Sequence, residues 1–175
     1  MGFSNPQENI SQFGLIEGVV VADLGAGSGH YALEIARTIG EGGKVYAVDI
    51  QDQLLVKLKN GAKQMAVHNV EVVHGDIETP AGTRLREGSI DVALLANVMF
   101  QSQHKDGIIT EAKRILKKNG RVIIIDWSES FGGMGPQPEH VFTEALAKDL
   151  FAKHGLVFVK DLDVGDHHYG AVFRV

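Results

Sequence analysis

Short apolar runs alternate with longer segments of helical spacing along this sequence, and that alternation constrains the fold more than any other feature. Strands separated by helices are typical of a parallel sheet that is covered on both faces. Parallel strands buried in this way are apolar along nearly their whole length. We predict five of them, at Val19–Leu24, Lys44–Asp49, Val70–His74, Ile90–Ala96 and Arg121–Trp127.

Helical segments and a terminal hairpin complete the predicted fold. Helical spacing is seen at Ala32, Ile35 and Ile39, at Leu55, Leu58 and Ala62, and at Ile108, Ala112 and Ile115. Left-handed residues that end helices are predicted at Gly40, Gly120 and Gly155. A last helix at Phe142–His154 precedes two further strands, at Leu156–Leu162 and His168–Val175. We therefore predict one α/β domain over residues 1–175, Rossmann-like and doubly wound, with a mostly parallel seven-stranded sheet, helices on both faces and an antiparallel C-terminal hairpin.

Composition excludes several classes of function. A formal net charge of −5 offers no general attraction to nucleic acid, so no nucleic-acid partner is expected. The chain has no cysteine, which rules out disulfides and thiolate sites within it. The first ten residues lack the basic and apolar regions of a signal peptide, and no apolar run is long enough to span a membrane. We expect a cytoplasmic location.

The stretch VVADLGAGSGHYAL, Val20–Leu33, places three glycines in five positions between a strand and a helix. Gly25 and Gly27 allow a tight turn and the close approach of a ligand. Gly29 is expected to let the helix sit close to the strand. The bare backbone and the helix N-terminus together predict a ligand-binding turn.

A dinucleotide-dependent oxidoreductase is one interpretation of this turn. Asp49 follows Gly29 by the distance at which such folds place the carboxylate that binds the ribose. Two details weaken the interpretation: His30 makes the spacing GxGxG rather than GxGxxG, and Asp23 would repel a pyrophosphate but attract a cation.

An ordered set of motifs carries a resemblance that extends over Gly18–Trp127. VVADLGAGSG, VYAVDI, VVHGDIE and DVALLANVMF resemble the first four motifs of the class I S-adenosylmethionine-dependent methyltransferases, and LKKNGRVIIIDW resembles the strand that follows them. Within that class the chain is most similar to the group of ubiquinone and menaquinone biosynthesis. The resemblance implies an enzyme that transfers a methyl group from S-adenosylmethionine to a small molecule and releases S-adenosylhomocysteine.

The resemblance also implies a set of cofactor-binding residues at the ends of the first four strands. They are Asp23, Gly25, Ala26, Gly27, Gly29, Asp49, Ile50, Asp76, Ile77, Ala96 and Asn97. In this assignment Asp23 holds the methionine ammonium, Asp49 accepts both ribose hydroxyls, Asp76 borders the adenine, and Asn97 lies near the methyl group. A helix cap or a strand end is the alternative interpretation of Asp23 and Asp49, and a plain turn that of Asp76.

Catalytic residues are harder to predict, because a sulfonium is already activated and its methyl transfer does not require a base. Where the acceptor loses a proton, His140, His167 and His168 are the candidates, with Tyr169 as a hydrogen-bonding partner. Strand alternation points His168 and Tyr169 to opposite faces. Each of these residues, and Trp127, also fits a packing role. The loop Ser128–His140 is either a lid or a surface turn.

A metal site and several acceptor classes are not expected. One acidic segment holds Asp161, Asp163, Asp166, His167 and His168. Such a cluster before a strand is more typical of a solvated turn, so we predict no metal.

The stretch ANVMF lacks the prolines found in enzymes that methylate amino groups of nucleic-acid bases. Because the chain has no cysteine, the cysteine-dependent methylation of cytosine carbon or arsenic is not available. A small apolar or aromatic acceptor remains.

A non-catalytic S-adenosylmethionine-binding subunit is the competing hypothesis. The short segment before Val19 leaves little material to cover the site. The loop that begins at Ser128, or a second subunit in a homodimer, would then have to close it.

Overall fold

The computed structural model describes residues 5–175, and one sheet of seven strands organises that part of the chain. The strands are β1 (Val20–Leu24), β2 (Lys44–Asp49), β3 (Val70–His74), β4 (Ile90–Ala96), β5 (Leu116–Trp127), β6 (Val157–Leu162) and β7 (His168–Arg174). Their order is β3-β2-β1-β4-β5-β7-β6. β1 to β5 are parallel, and β7 runs antiparallel to both β5 and β6. The predicted fold class is confirmed.

Helices cover both faces of the sheet. They are α1 (Pro6–Ser11), α2 (His30–Ile39), α3 (Asp52–Gln64), α4 (Lys105–Ile115) and α5 (Glu144–Lys153). Ile10 of α1, Ile35 of α2 and Leu58 of α3 belong to one apolar core. Ile108 of α4 and Phe151 of α5 belong to the core on the opposite face. Within residues 5–175 no helix combines the length and the apolar character that crossing a bilayer requires.

The connection from β3 to β4 contains no helix within the described chain, although parallel strands are usually joined by one. The buried carboxylate of Glu111 holds this segment instead. It accepts hydrogen bonds from the backbone of Ala81 and Thr83, and it pairs with Arg114 at 2.7 Å. Burial alone would raise the pKa of Glu111, but the hydrogen bonds from Arg114 and Thr83 outweigh it and lower the pKa to about 2.

The predicted helix ends agree with the structure at two of three glycines. Gly40 and Gly155 follow α2 and α5 with φ of +68° and +76°. The prediction for Gly120 was wrong, because α4 ends at Ile115 and β5 begins at the next residue, so that Gly120 lies inside the strand. Asn119 has the left-handed φ, +64°, at a register shift between β4 and β5. The extra residues of this bulge explain why β5 starts earlier than the apolar pattern indicated.

Candidate functional site

The glycine turn between β1 and α2 lies against the end of β2. The backbone N–H groups of Gly25 and Ala26 both donate to the carbonyl oxygen of Val48, at 2.8 and 3.0 Å. Gly25 has a φ of +79°, and a Cβ atom there would lie 2.6 Å from Cγ2 of Val98. The turn therefore needs glycine at this position both for its conformation and for its contact with the segment after β4.

Gly29 serves a different contact from the one that the sequence predicted. Its φ is +90°, and a Cβ atom there would lie 2.4 Å from Cγ of Leu58 in α3. The residue therefore makes room for a neighbouring helix rather than for the strand. Gly27 has a φ of +55°, yet a Cβ atom there would meet nothing within 4 Å among residues 5–175. The backbone at Gly27 thus faces open space.

Cavity A, of about 520 Å³, opens beside this turn. It is lined by Pro6, Asp23, Gly25, Ala26, Gly27, Ser28, His30, Tyr31, Leu54, Ala96 and Asn97. Oδ2 of Asp23 and Oδ1 of Asn97 are both buried, and neither has a hydrogen-bond partner within residues 5–175. Buried polar atoms normally have partners, so two acceptors on one cavity suit a ligand that carries N–H donors.

Asp23 is 2% exposed at the end of β1. Burial raises its pKa to about 7, against a hydrogen bond from the backbone of Ala32, and the negative charge of nearby Asp49 raises it further. A cation bound in cavity A would oppose both effects and favour the ionised carboxylate.

Cavity B, of about 320 Å³, shares Gly25 with cavity A. It is lined by Gly25, Asp49, Ile50, Gln51, Gly75, Asp76, Ile77, Glu78, Val98, Gln101 and Ser102. Oδ2 of Asp49 accepts from the backbone N–H of Gly27 in the glycine turn, and Oδ1 accepts from the N–H of Gln51 at the start of α3, each at 2.8 Å. Each of its oxygens keeps a second lone pair for a ligand hydroxyl. Asp76 accepts from the backbone of Glu78 at 2.8 Å.

Asn97 owes its position to an uncommon backbone conformation directly after β4. Its φ is +56°, in the left-handed region that asparagine tolerates better than most residues. Its N–H donates to the carbonyl oxygen of Ile125 at 2.8 Å, and its carbonyl accepts from Nε2 of Gln101 at 2.6 Å. These bonds bring the side-chain oxygen to cavity A.

Cavity C, of about 670 Å³, shares Gln101 and Ser102 with cavity B. Its other lining residues are Phe100, Gln103, Lys105, Pro136, Glu139, His140, Val141, Phe142 and Leu146. His140 thus lines a different cavity from Asn97. The candidate base and the candidate methyl-side residue therefore line cavities C and A, which share no lining residue and are linked only through cavity B.

His168 and Tyr169 lie on opposite faces of β7. The ring of His168 packs on Trp127, with centroids 4.2 Å apart, and burial lowers the pKa of its imidazole. Tyr169 belongs to the core that contains α4 and α5, and its hydroxyl has no hydrogen-bond partner within residues 5–175. Burial, and then the negative charges of Asp126 and Glu144, raise the pKa of Tyr169, so the phenol keeps its proton. It is suited to donate a hydrogen bond rather than to accept a proton.

Residues 15–162 match a family model described as a methyltransferase domain. The chain belongs to this family. It is 37% identical over 116 residues to an arsenite methyltransferase of Aquipseudomonas alcaligenes, a match that covers 64% of this chain and 34% of that protein. It is 26% identical over 155 residues to a demethylmenaquinone methyltransferase of Lactococcus lactis, covering 89% and 59%. The chain thus spans between about a third and three fifths of the length of these two relatives.

A solved structure extends the likeness over nearly the whole methyltransferase domain. The crystal structure of a SAM-dependent methyltransferase from Aquifex aeolicus superposes with a TM-score of 0.89 at 26% identity, covering 99% of this chain and 90% of that one. The predicted membership of the class I S-adenosylmethionine-dependent methyltransferases, in a group similar to that of quinone biosynthesis, is confirmed.

The first helix of this methyltransferase domain is one element that the sequence analysis missed. Asn5 caps α1 by accepting from the backbone of Gln7 at 3.1 Å, and Pro6 occupies the first turn. Pro6 also lines cavity A, and Asn9 donates to the hydroxyl of Tyr31 at 2.7 Å. α1 therefore supplies part of the cover that was expected from a loop or a second subunit.

The loop 128–140 is packed against the start of β7. The ring of Phe131 stacks on His167 with centroids 3.7 Å apart, and Glu129 pairs with the same imidazole at 2.6 Å. Gly135 lies so close to Trp127 that a Cβ atom there would be 2.7 Å from the indole. In the acidic segment, Asp161 lies within β6 and pairs with Lys148 at 2.9 Å. Residues 5–175 contain no group of three or more metal-ligating side chains.

Proposed function

We propose that this methyltransferase domain moves a methyl group from S-adenosylmethionine to a small-molecule acceptor by in-line displacement. The observation that carries the proposal is the pair of buried oxygens on Asp23 and Asn97 that have no hydrogen-bond partner among residues 5–175. They face cavity A, whose neighbour, cavity B, contains a carboxylate that can accept from a diol. Because the two cavities meet at Gly25, one ligand with an ammonium group at one end and a ribose at the other fits both.

The residues of the two cavities would divide the cofactor between them. Asp23 and Asn97 would accept from the ammonium, and the glycine turn would pass beneath the chain that links it to the ribose. Asp49 would accept from both ribose hydroxyls, in hydrogen bonds to a charged group that are each worth about 1.5–3 kcal/mol. Asp76 and Ile77 would border the adenine.

S-adenosylmethionine supplies, when bound, a methyl group that is already activated for displacement. The chain's own contribution is therefore alignment of the acceptor and exclusion of water. Where the acceptor loses a proton, we assign His140, which lines cavity C, to take it. Tyr169 keeps its proton and is not among the described residues that line cavities A, B and C, so it takes no part in this proton transfer.

The acceptor would bind in cavity C, which adjoins cavity B at Gln101 and Ser102. The rings of Phe100 and Phe142 and the side chain of Leu146 give this cavity an apolar part, and its polar part is lined by Gln101, Ser102, Gln103, Lys105, Glu139 and His140. This mixture suits a small aromatic molecule that carries polar groups. An acceptor of the kind named in the demethylmenaquinone relative fits this description, whereas cysteine-dependent methylation of arsenic does not suit a chain without cysteine.

Calorimetric titration of the purified protein with S-adenosylhomocysteine, S-adenosylmethionine and NAD tests the first half of the proposal. Binding of the two sulfur nucleosides alone supports it, whereas binding of NAD alone would identify an oxidoreductase. Release of S-adenosylhomocysteine in the presence of demethylmenaquinone and other aromatic acceptors tests the second half. Binding without turnover on any acceptor would favour the non-catalytic subunit, and Asp49→Ala serves as the binding-deficient control.

A further inference from the structure

A buried carboxylate that the proposed function does not use lies beneath the turn that follows β4. Asp126, the residue before the last of β5, is 0% exposed. Its Oδ2 accepts from the N–H of Phe100 at 3.2 Å and its Oδ1 from the N–H of Trp127 at 2.8 Å. The backbone of Met99 also hydrogen bonds to it. Asp126 is not among the described residues that line cavities A, B and C.

The turn 97–102, by contrast, contributes to all three cavities. Asn97 lines cavity A, Phe100 lines cavity C, and Gln101 lines both B and C. The end of β5 holds this turn at two points, through the carbonyl oxygen of Ile125 at its first residue and through the carboxylate of Asp126 at its third and fourth. The second attachment is the one that a side chain supplies, so substitution can remove it.

We infer that Asp126 is a positioning residue, which holds the turn after β4 so that Oδ1 of Asn97 faces the ammonium site of cavity A. The inference deepens the proposed function and rests on it. Asp126 does not contact the cofactor in this arrangement, and it acts through Asn97.

Several titratable groups lie near this carboxylate. Tyr169 lies directly opposite on β7 and shares its face, and Lys105 of α4 contributes a nearby positive charge. Glu144 of α5 lies near the same tyrosine. Burial raises the pKa of Asp126 to about 6, against the hydrogen bonds from Trp127 and Phe100. At pH 8 the group is therefore ionised and can accept from every backbone donor around it, so binding is best measured there.

The variant Asp126→Asn removes one acceptor oxygen and places an amide N–H₂ against a backbone donor. We expect it to weaken binding of S-adenosylhomocysteine about fivefold at pH 8, the scale of one lost hydrogen bond. 5′-Methylthioadenosine has no amino-acid group, so the factor by which its affinity falls should be at most half of that for S-adenosylhomocysteine. A merely structural role would weaken the binding of both ligands by the same factor. Asp106→Asn makes the same chemical change at an exposed position of α4 and should alter neither affinity.

A double-mutant cycle tests whether Asp126 acts through Asn97. Asp126→Asn should weaken binding of S-adenosylhomocysteine in the wild-type chain and leave it unchanged in an Asn97→Ala chain. Equal losses in both backgrounds, or no loss in either, would overturn the inference. If Asp126→Asn does not fold, Asp126→Glu replaces it. If Asp126→Glu leaves the ratio of the affinities for S-adenosylhomocysteine and 5′-methylthioadenosine as in the wild type, the inference is likewise overturned. Failure of the wild-type protein to bind S-adenosylhomocysteine would instead refute the proposed function itself.

Discussion

The two ends of the candidate site are built differently. On the cofactor side, Asp23 is the residue before the last of β1, Asp49 ends β2 and Asn97 directly follows β4, so the register of parallel strands brings them to one edge. On the acceptor side, His140 stands at the far end of a long loop after β5. Strand register fixes the first set of side chains, whereas loop packing fixes the second. Substitutions that separate these two influences differ widely in their expected effect on stability or cofactor binding.

Gly29→Ala should have the largest effect, because it combines a left-handed φ of +90° with a Cβ atom 2.4 Å from Leu58. The strained backbone and the overpacking together should lower the free energy of unfolding by about 2–5 kcal/mol. Gly27→Ala, with a φ of +55° and open space, should cost only about 1–2 kcal/mol. Chemical denaturation of both variants measures the difference. Equal losses would show that the close contact with Leu58 of α3 adds nothing to the cost of a side chain at position 29.

Asp49→Ala should weaken binding of S-adenosylhomocysteine about tenfold or more, since a carboxylate that accepts from a diol is lost. The variant also removes the acceptor that holds the N–H of Gly27. Asp52→Ala is the matched control, because that carboxylate is 81% exposed and pairs only loosely with His74, at 3.8 Å. Calorimetry on the two variants compares them directly. An unchanged affinity in Asp49→Ala would mean that the ribose binds elsewhere.

Asp23 should make cofactor binding depend on pH. The pKa of Asp23 in the free protein is about 7, so below pH 7 its carboxyl group is mostly protonated. It must lose that proton in order to bind an ammonium. Affinity for S-adenosylhomocysteine should then decrease by up to about tenfold per pH unit between pH 7 and 5. Asp23→Asn should bind more weakly at pH 8 and lose this Asp23-dependent slope. A slope that survives the substitution would assign the titration to another group.

The same raised pKa predicts the opposite trend for stability without ligand. Between about pH 4 and pH 7 the folded protein holds a proton on Asp23 that the unfolded chain has released. The contribution of Asp23 to the free energy of unfolding therefore falls as the pH rises through this window and is constant above it. Asp23→Asn should remove that contribution, which denaturation at several pH values would reveal.

The cofactor side of the site could be predicted from the sequence better than the acceptor side. The apolar runs predicted the bounds of β1 to β4 to within one residue, and residues at the ends of these strands line cavities A and B. α1 was missed because six residues are too few to show a helical period. Asp126 was missed because an acidic residue near the end of an apolar run gives no sign of the backbone donors around it. The cavity that contains His140 depends on how the loop 128–140 packs on β7, and no local pattern encodes that contact.

His140→Gln should have the smallest effect on cofactor binding and is the sharpest test of the division itself. His140 lines cavity C and is absent from the lining of cavities A and B. Affinity for S-adenosylhomocysteine should therefore stay within about twofold of the wild type, and stability should change by less than about 0.5 kcal/mol, as for other exposed substitutions. Methyl transfer to an acceptor that loses a proton should nevertheless fall, because glutamine cannot take that proton. A parallel loss of cofactor affinity would mean that the two ends of the site are one unit, with cavity C coupled to cavity B through Gln101 and Ser102.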